Sequence, residues 1–249
     1  MSAFLQNPRL PQKPVSLGLI SGEYPWLKQA LEKWNIKTLT TEEEKRLPDP
    51  VRFHPDLQVC PFPLKQMFVL KQNKLGKELC DLGFTVLETY KEPGKQYPQD
   101  VLCGGFWWGS YLVGNPKGID PLIQKNAIQQ GQTLLPIRQG YGACSVALVN
   151  QRCAITADKG LEQVLTTNGF EVLLIRPGFI LLPGYGTGFI GGCCGKLAPD
   201  LLAFTGELSL HPDGDRIRGF LKQHGVTPVE LRQGPLIDVG GILPLMEKD

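Results

Sequence analysis

Gly83-Phe84-Thr85-Val86-Leu87, Gly131-Gln132-Thr133-Leu134-Leu135 and Gly169-Phe170-Glu171-Val172-Leu173-Leu174 follow one pattern, a glycine leading into an apolar run of strand length. Asn35-Ile36-Lys37-Thr38-Leu39 and Gly225-Val226-Thr227-Pro228-Val229 extend the pattern along the whole chain. Ahead of each lies a stretch with helical spacing of apolar residues, as Leu27, Leu31 and Trp34 show before Asn35. Glycine or asparagine is the residue a helix needs where its chain turns through the left-handed conformation. Further upstream each helix is preceded by a short apolar strand, such as Ser16-Leu17-Gly18-Leu19-Ile20 or Met67-Phe68-Val69-Leu70. Downstream each second run is followed by another apolar segment opened by Asp or Gly.

Self-similarity at a period of ~40–50 residues is the mark of a repeat architecture and takes precedence over any short motif. The chain divides into strand–helix–strand–strand units of about 15–64, 65–109, 110–150, 151–199 and 200–249, forming a single domain over 1–249. Aligned on their last apolar runs, Asp56, Asp100 and Cys144 fall 44 residues apart each time, and Phe189 and Asp238 follow at 45 and 49. A recurring carboxylate at one repeat position predicts an α/β propeller with five-fold pseudosymmetry, because a ring turns equivalent residues toward one axis. A ring also removes the exposed sheet edges that an open stack leaves. An ordinary three-layer α/β domain gives glycine after each helix too, but it does not account for the recurring acid.

The bulk composition excludes several functions. With 249 residues, 42% hydrophobic and 20% charged, the chain can bury a sizeable core. A net charge of +2 and the mixed run Glu42-Glu43-Glu44-Lys45-Arg46 give no basic stripe for nucleic acid. No apolar stretch reaches the ~18–20 residues of a membrane span, and Met1 to Pro14 lacks the apolar segment of a signal peptide. Seven cysteines without a secretory signal point to a cytoplasmic protein with reduced thiols. A homodimer is left open.

The rhythm of the units, with Gln139-Gly140-Tyr141-Gly142-Ala143-Cys144-Ser145, Ile155-Thr156-Ala157-Asp158-Lys159-Gly160, Leu173 to Gly192, His211-Pro212-Asp213-Gly214 and Pro235 to Leu245, resembles the pentein superfamily of guanidino-group-modifying enzymes, in an uncharacterised bacterial branch. The resemblance covers most of the chain in rhythm and little of it in identity. It implies a small-molecule ligand in a central funnel, no cofactor, and Cys-dependent hydrolase or transferase chemistry on a small guanidino or amide compound. It also implies a nucleophilic cysteine in the last unit and a histidine in the third. Here the last unit reads Asp238-Val239-Gly240-Gly241-Ile242-Leu243 without a thiol, and unit three has no histidine. The family's site therefore does not transfer position by position. Whether the chain is an enzyme or a non-catalytic scaffold binding a small molecule or a protein stays open at this level.

Cys144 shares the repeat position of Asp56, Asp100 and Asp238. Carboxylates hold a planar guanidinium by paired hydrogen bonds, a thiolate attacks its central carbon, and a histidine moves the protons. The expected set is thus Cys144 as nucleophile, His54 or His211 as proton carrier, and Asp56, Asp100 and Asp238 as substrate carboxylates. A buried small apolar residue is the plain alternative for Cys144. The plain alternative for His54 and His211, each in a His-Pro-Asp tripeptide, is a loop histidine ahead of a turn. Gly186, Gly188 and Gly191 spell a formal G-x-G-x-x-G. An apolar run resembling a strand follows it, where a dinucleotide fingerprint needs a helix. Glycines there let backbone approach a neighbouring unit or a ligand. Phe106-Trp107-Trp108 is expected to be packing, His224 to favour a helix C-terminus, and no Cys/His spacing predicts a metal site.

Overall fold

The computed structural model describes residues 2–249. The chain begins with β1 (Ser2–Phe4), β2 (Val15–Ser21), α1 (Pro25–Glu32) and β3 (Lys37–Thr41). The next stretch holds a short helical turn α2 (Pro55–Gln58), β4 (Val59–Phe62), β5 (Gln66–Val69), α3 (Leu75–Asp81) and β6 (Thr85–Glu88). A 3-10 turn at Gln99–Val101 leads to β7 (Phe106–Trp108), β8 (Tyr111–Gly114), α4 (Pro121–Gln129) and β9 (Thr133–Pro136). The short turn α5 (Gly142–Ser145) leads to β10 (Val146–Leu148), β11 (Cys153–Thr156), α6 (Lys159–Thr167) and β12 (Glu171–Leu174). The last part comprises β13 (Cys194–Ala198), β14 (Leu201–Phe204), α7 (Gly214–Gln223), β15 (Thr227–Glu230) and β16 (Leu243–Lys248).

These strands form five small sheets in a mixed α/β fold. Four are three-stranded, in the orders β4-β5-β6, β7-β8-β9, β10-β11-β12 and β13-β14-β15. In each, the middle strand is antiparallel to the strand before it and parallel to the strand after its helix. The fifth, β1-β16-β2-β3, takes β16 from the far end of the chain against β2. No sheet closes on itself among the described residues.

The helix ends follow from the residues that stop them. Asn35, Gly83, Gly131, Gly169 and Gly225 have φ of +57°, +92°, +75°, +86° and +68°, the left-handed turn that reverses the chain into the parallel strand. Each helix lays a narrow apolar stripe on its sheet: Leu27 and Leu31, Leu75 and Leu79, Ile123 and Ala127, Leu161 and Leu165, Ile217 and Leu221 are all buried. Phe106, Trp107 and Trp108 are buried as well, with the Trp108 ring stacked on Phe170 at 3.8 Å between centroids.

Two readings from sequence need correction. The apolar run after each repeat-position residue pairs forward, onto the next sheet, so the sheets are offset by one strand from units cut at 64, 109, 150 and 199. Asp56, Asp100 and Cys144 themselves lie in short helical turns ahead of those strands, not at their start. The apolar run after Asp100 forms no strand, the next strand being Phe106–Trp108, and the apolar run after the Gly186–Gly191 motif becomes a strand only at Cys194.

Candidate functional site

Backbone hydrogen bonds tie the segments at the repeat position together from Asp100 onward and back to Asp56. Ala143 N–H donates to Gly104 O at 2.9 Å, Gly192 to Cys144 O at 3.0 Å, Gly241 to Gly192 O at 2.8 Å, and Asp56 to Gly240 O at 3.3 Å. Close backbone approach demands glycine here. A Cβ on Gly192 would lie 1.9 Å from Asp238 Oδ1, and one on Gly240 2.5 Å from His54 Cα. Gly188, Gly191 and Gly192 are thus packing positions, whereas Gly186 has open space at its Cβ and lines the cavity described below.

These turns bring His54, Asp56, Cys144 and Asp238 together, all buried. His54 Nδ1 lies 3.7 Å from Asp238 Oδ1 and 4.0 Å from Asp56 Oδ1, close enough for charge interaction but too far for a hydrogen bond. Asp238 is anchored by backbone donors, from Phe189 at 2.8 Å and Gly240 at 3.0 Å. Asp56 faces the Cys144 thiol, yet neither of its oxygens has a hydrogen bond of good geometry. His54 Nε2 is also without a partner. Asp100 sits beside the group, its Oδ2 accepting from the Tyr141 hydroxyl and its Oδ1 unpartnered.

The electrostatics follow from burial. Burial pushes the Asp56 carboxyl up to about 8, aided by the charge of Asp238. Burial drives the Cys144 thiol well above its ordinary value, with Asp56 and Asp238 adding to the effect. Burial lowers His54, against the pull of Asp238. Near neutral pH the group is thus a protonated thiol, a neutral imidazole and a largely protonated Asp56.

A cavity of ≈ 270 Å³ opens on one side of this cluster. His54, Cys144 and Asp238 form its polar wall, and Tyr141, Tyr185 and Phe189 supply aromatic surface. Tyr141 and Phe189 stack at 6.0 Å. On the opposite side, Arg9 and Asp56 line a void of only ≈ 10 Å³. Arg9 is buried there, its guanidinium donating to Ala143 O at 3.0 Å. A larger cleft of ≈ 440 Å³ lies among Glu42, Glu44, Arg46 and Lys74. Two of its ion pairs are internal, Arg46 with Glu44 at 2.7 Å and Lys74 with Glu42 at 2.5 Å.

His211 is placed apart and is not among the residues lining the cavity at Cys144. Its Nδ1 accepts from Asp213 N at 3.0 Å and Phe179 packs edge-on against its ring. Asp213 in turn is gripped by Arg176 and Arg216, whose guanidinium groups hold its carboxyl well below the usual range. Arg9, Tyr141 and Tyr185 were not signalled by the sequence. Arg9 lies in a Pro-rich segment without periodicity, and the two tyrosines stand in loops where only the neighbouring glycines hint at close packing.

Solved structures show the fold. An inosamine-phosphate amidinotransferase from Streptomyces griseus superposes with TM-score 0.56 at 11% identity, over 100% of this chain and 97% of its own. DDAH from Pseudomonas aeruginosa, a mutant complexed with citrulline, gives 0.55 at 8% identity, over 92% and 96%. Agmatine deiminase of C. jejuni gives 0.51 at 7% identity, over 92% and 89%. The likeness shows that this chain shares the fold of these proteins. A search of curated protein sequences found no match. The model of DUF6873, a family of unknown function, matches residues 19–243, and the chain belongs to that family.

Proposed function

We propose that the cavity at Cys144 receives a small guanidino- or amide-bearing molecule, and that the five sheets stand as blades about the axis on which it opens. The radial arrangement is supported by the turn-to-turn hydrogen bonds and by β16, from the C-terminal end, pairing with β2. One observation carries the ligand class: His54, buried and with Nε2 unpartnered, and the buried carboxylate of Asp238 face a cavity with no cation among its lining residues. Such groups cost free energy unless a ligand satisfies them, and a planar multi-donor cation matches them. The structural neighbours include an amidinotransferase and an agmatine deiminase, which agrees with that class.

In this reading Cys144 is the nucleophile. A bound cation offsets the charges of Asp56 and Asp238 and brings the thiol within range of ionisation. The Sγ–C bond forms at the central carbon, one C–N bond breaks, and the thiol proton leaves with the departing amine by way of His54. Water, or a second amine, then takes the amidino group from sulfur. Asp238, fixed by two backbone donors, orients the substrate, and Asp56 and Asp100 act from behind the wall, since neither lines the cavity.

A second reading, binding without turnover, rests on the deep burial of Cys144 and on Gly240 and Gly241 standing where the superfamily's thiol is expected. One panel separates the two. Guanidino and ureido compounds are screened by thermal shift, and release of amine or ureido product is followed with the ligands that bind. Turnover abolished by Cys144→Ala supports catalysis, and stabilisation without product supports the scaffold. The absence of any shift, with wild type and Asp238→Asn alike, overturns both.

A further inference from the structure

Cys153 opens β11 and Glu171 opens β12, and the parallel register pairs them directly. Their side chains therefore leave the same face of the fourth sheet. His224 ends α7, the helix of the next sheet, and lays its ring between them. Cys153 Sγ lies 3.4 Å from His224 Nδ1 and 3.9 Å from Glu171 Oε2, and His224 Nε2 lies 3.2 Å from Glu171 Oε1. One donor atom from each residue falls within 4.8 Å of the others. None of the three lines the cavity at Cys144, so the group is independent of the proposed reaction.

The spacing suits a metal ion. Tetrahedral bonds of ~2.3 Å to sulfur and ~2.0–2.1 Å to nitrogen and oxygen set donor atoms about 3.3–3.6 Å apart. The Sγ–Nδ1 distance already lies in that range, and Glu171, whose side chain is 52% exposed, is free to swing its oxygen inward. The other two ligands are held. Cys153 N–H donates to Asn150 Oδ1 at 2.9 Å, and Phe220 packs edge-on against the His224 ring at 4.7 Å. A thiol and an imidazole select a borderline-soft ion over calcium or magnesium.

We propose that Cys153, Glu171 and His224 form a site for one divalent transition-metal cation of the zinc type, with a fourth position for water. On binding, the S–H bond breaks, the S–metal bond forms and the proton passes to solvent. Because the ligands come from the fourth sheet and from the helix of the next, the ion ties two units together. It stabilises the folded chain by mass action.

The test uses cobalt(II) as a spectroscopic probe on metal-free protein. One equivalent is expected to bind with a thiolate-to-metal absorption band, zinc(II) to displace it, and the melting temperature to rise with zinc(II). The band is expected to vanish in Cys153→Ser and His224→Ala and to persist in Cys80→Ser, the exposed thiol. Glu171→Gln, at a surface position that leaves folding intact by circular dichroism, is expected to weaken cobalt(II) binding about ten-fold or more. Absence of the band in wild type, its survival in Cys153→Ser, or unchanged affinity in Glu171→Gln would overturn the site.

Discussion

Asp56 holds a proton that an ordinary aspartate would lose, and this makes stability depend on pH in a definite direction. Its folded-state value is raised to about 8 from 3.8. Between those limits the folded chain keeps a proton that the unfolded chain has shed, so stability is full on the acid side and falls as pH rises through the window. Asp56→Asn is expected to flatten that slope, so that its stability relative to wild type rises steadily from pH 5 to pH 8, by at most ~4 kcal/mol. Thermal melts across that range check it, and parallel slopes for the two proteins would contradict it. Gly192→Ala tests the packing around the same group. Its Cβ would meet Asp238 Oδ1 at 1.9 Å, so a loss of about 1–3 kcal/mol is expected on denaturant unfolding. At this scale the sequence was informative where the repeat was. Asp56, Cys144 and Asp238 converge because equal positions in equal units point alike, and His54 comes with them as the neighbour of Asp56. Asp100 holds its repeat position, yet its carboxylate accepts from Tyr141, a partner that no spacing predicts. His211 reads like His54 in its tripeptide. Its following aspartate, however, is held by Arg176 and Arg216, contacts made only in the folded chain.

Three helices, α4, α6 and α7, start at acids that reach back to the preceding unit. Asp120 caps α4 through Leu122 N at 2.9 Å and also accepts from Tyr90 and Lys91 N, at 3.1 and 2.9 Å, in the loop after β6. Asp158 caps α6 through Leu161 N at 2.9 Å and accepts from Gln139 in the loop after β9. Asp213, ahead of α7, accepts from Arg176 N at 2.7 Å in the loop after β12. At Asp120 and Asp158 the acid thus serves both as helix cap and as inter-unit strap. Asp158→Ala is expected to cost about 1 kcal/mol, the value of a cap. Asp120→Ala also removes the acceptor of the Tyr90 and Lys91 N–H groups and is expected to cost more than the cap alone, about 2 kcal/mol. Urea unfolding of the two variants gives the order, and equal losses would show that the strap contributes nothing. Elements were legible where a residue type fixes the backbone, as at Asn35 and the four glycines after the later helices. They were misread where a short apolar run follows a repeat-position residue. Over four residues, period alone does not separate a helical turn from a strand, and the turns at Asp56, Asp100 and Cys144 pushed the true strands downstream.

On the scale of the molecule, the pairing of β16 with β2 joins the two ends of the chain in one sheet. Removing residues 243–249 would expose β2 and separate β1 from its partner strand. The truncated chain is expected to lose its single cooperative melt, and an unchanged melting temperature would show that the strand is dispensable. The offset between repeat unit and sheet could not be seen in sequence, because a run that pairs forward and one that pairs backward have the same composition. The cavity at Cys144 depends on this assembly, since His54, Cys144 and Asp238 come from turns far apart in the chain. Its most direct test is labelling with a chloroacetamidine, a small cation carrying a leaving group, followed by peptide mass spectrometry. Capture at Cys144 faster than by neutral iodoacetamide, slowed by an added guanidino compound and by Asp238→Asn, is the predicted result. Modification confined to the exposed Cys80, or equal rates for the charged and neutral reagents at Cys144, would contradict the assignment.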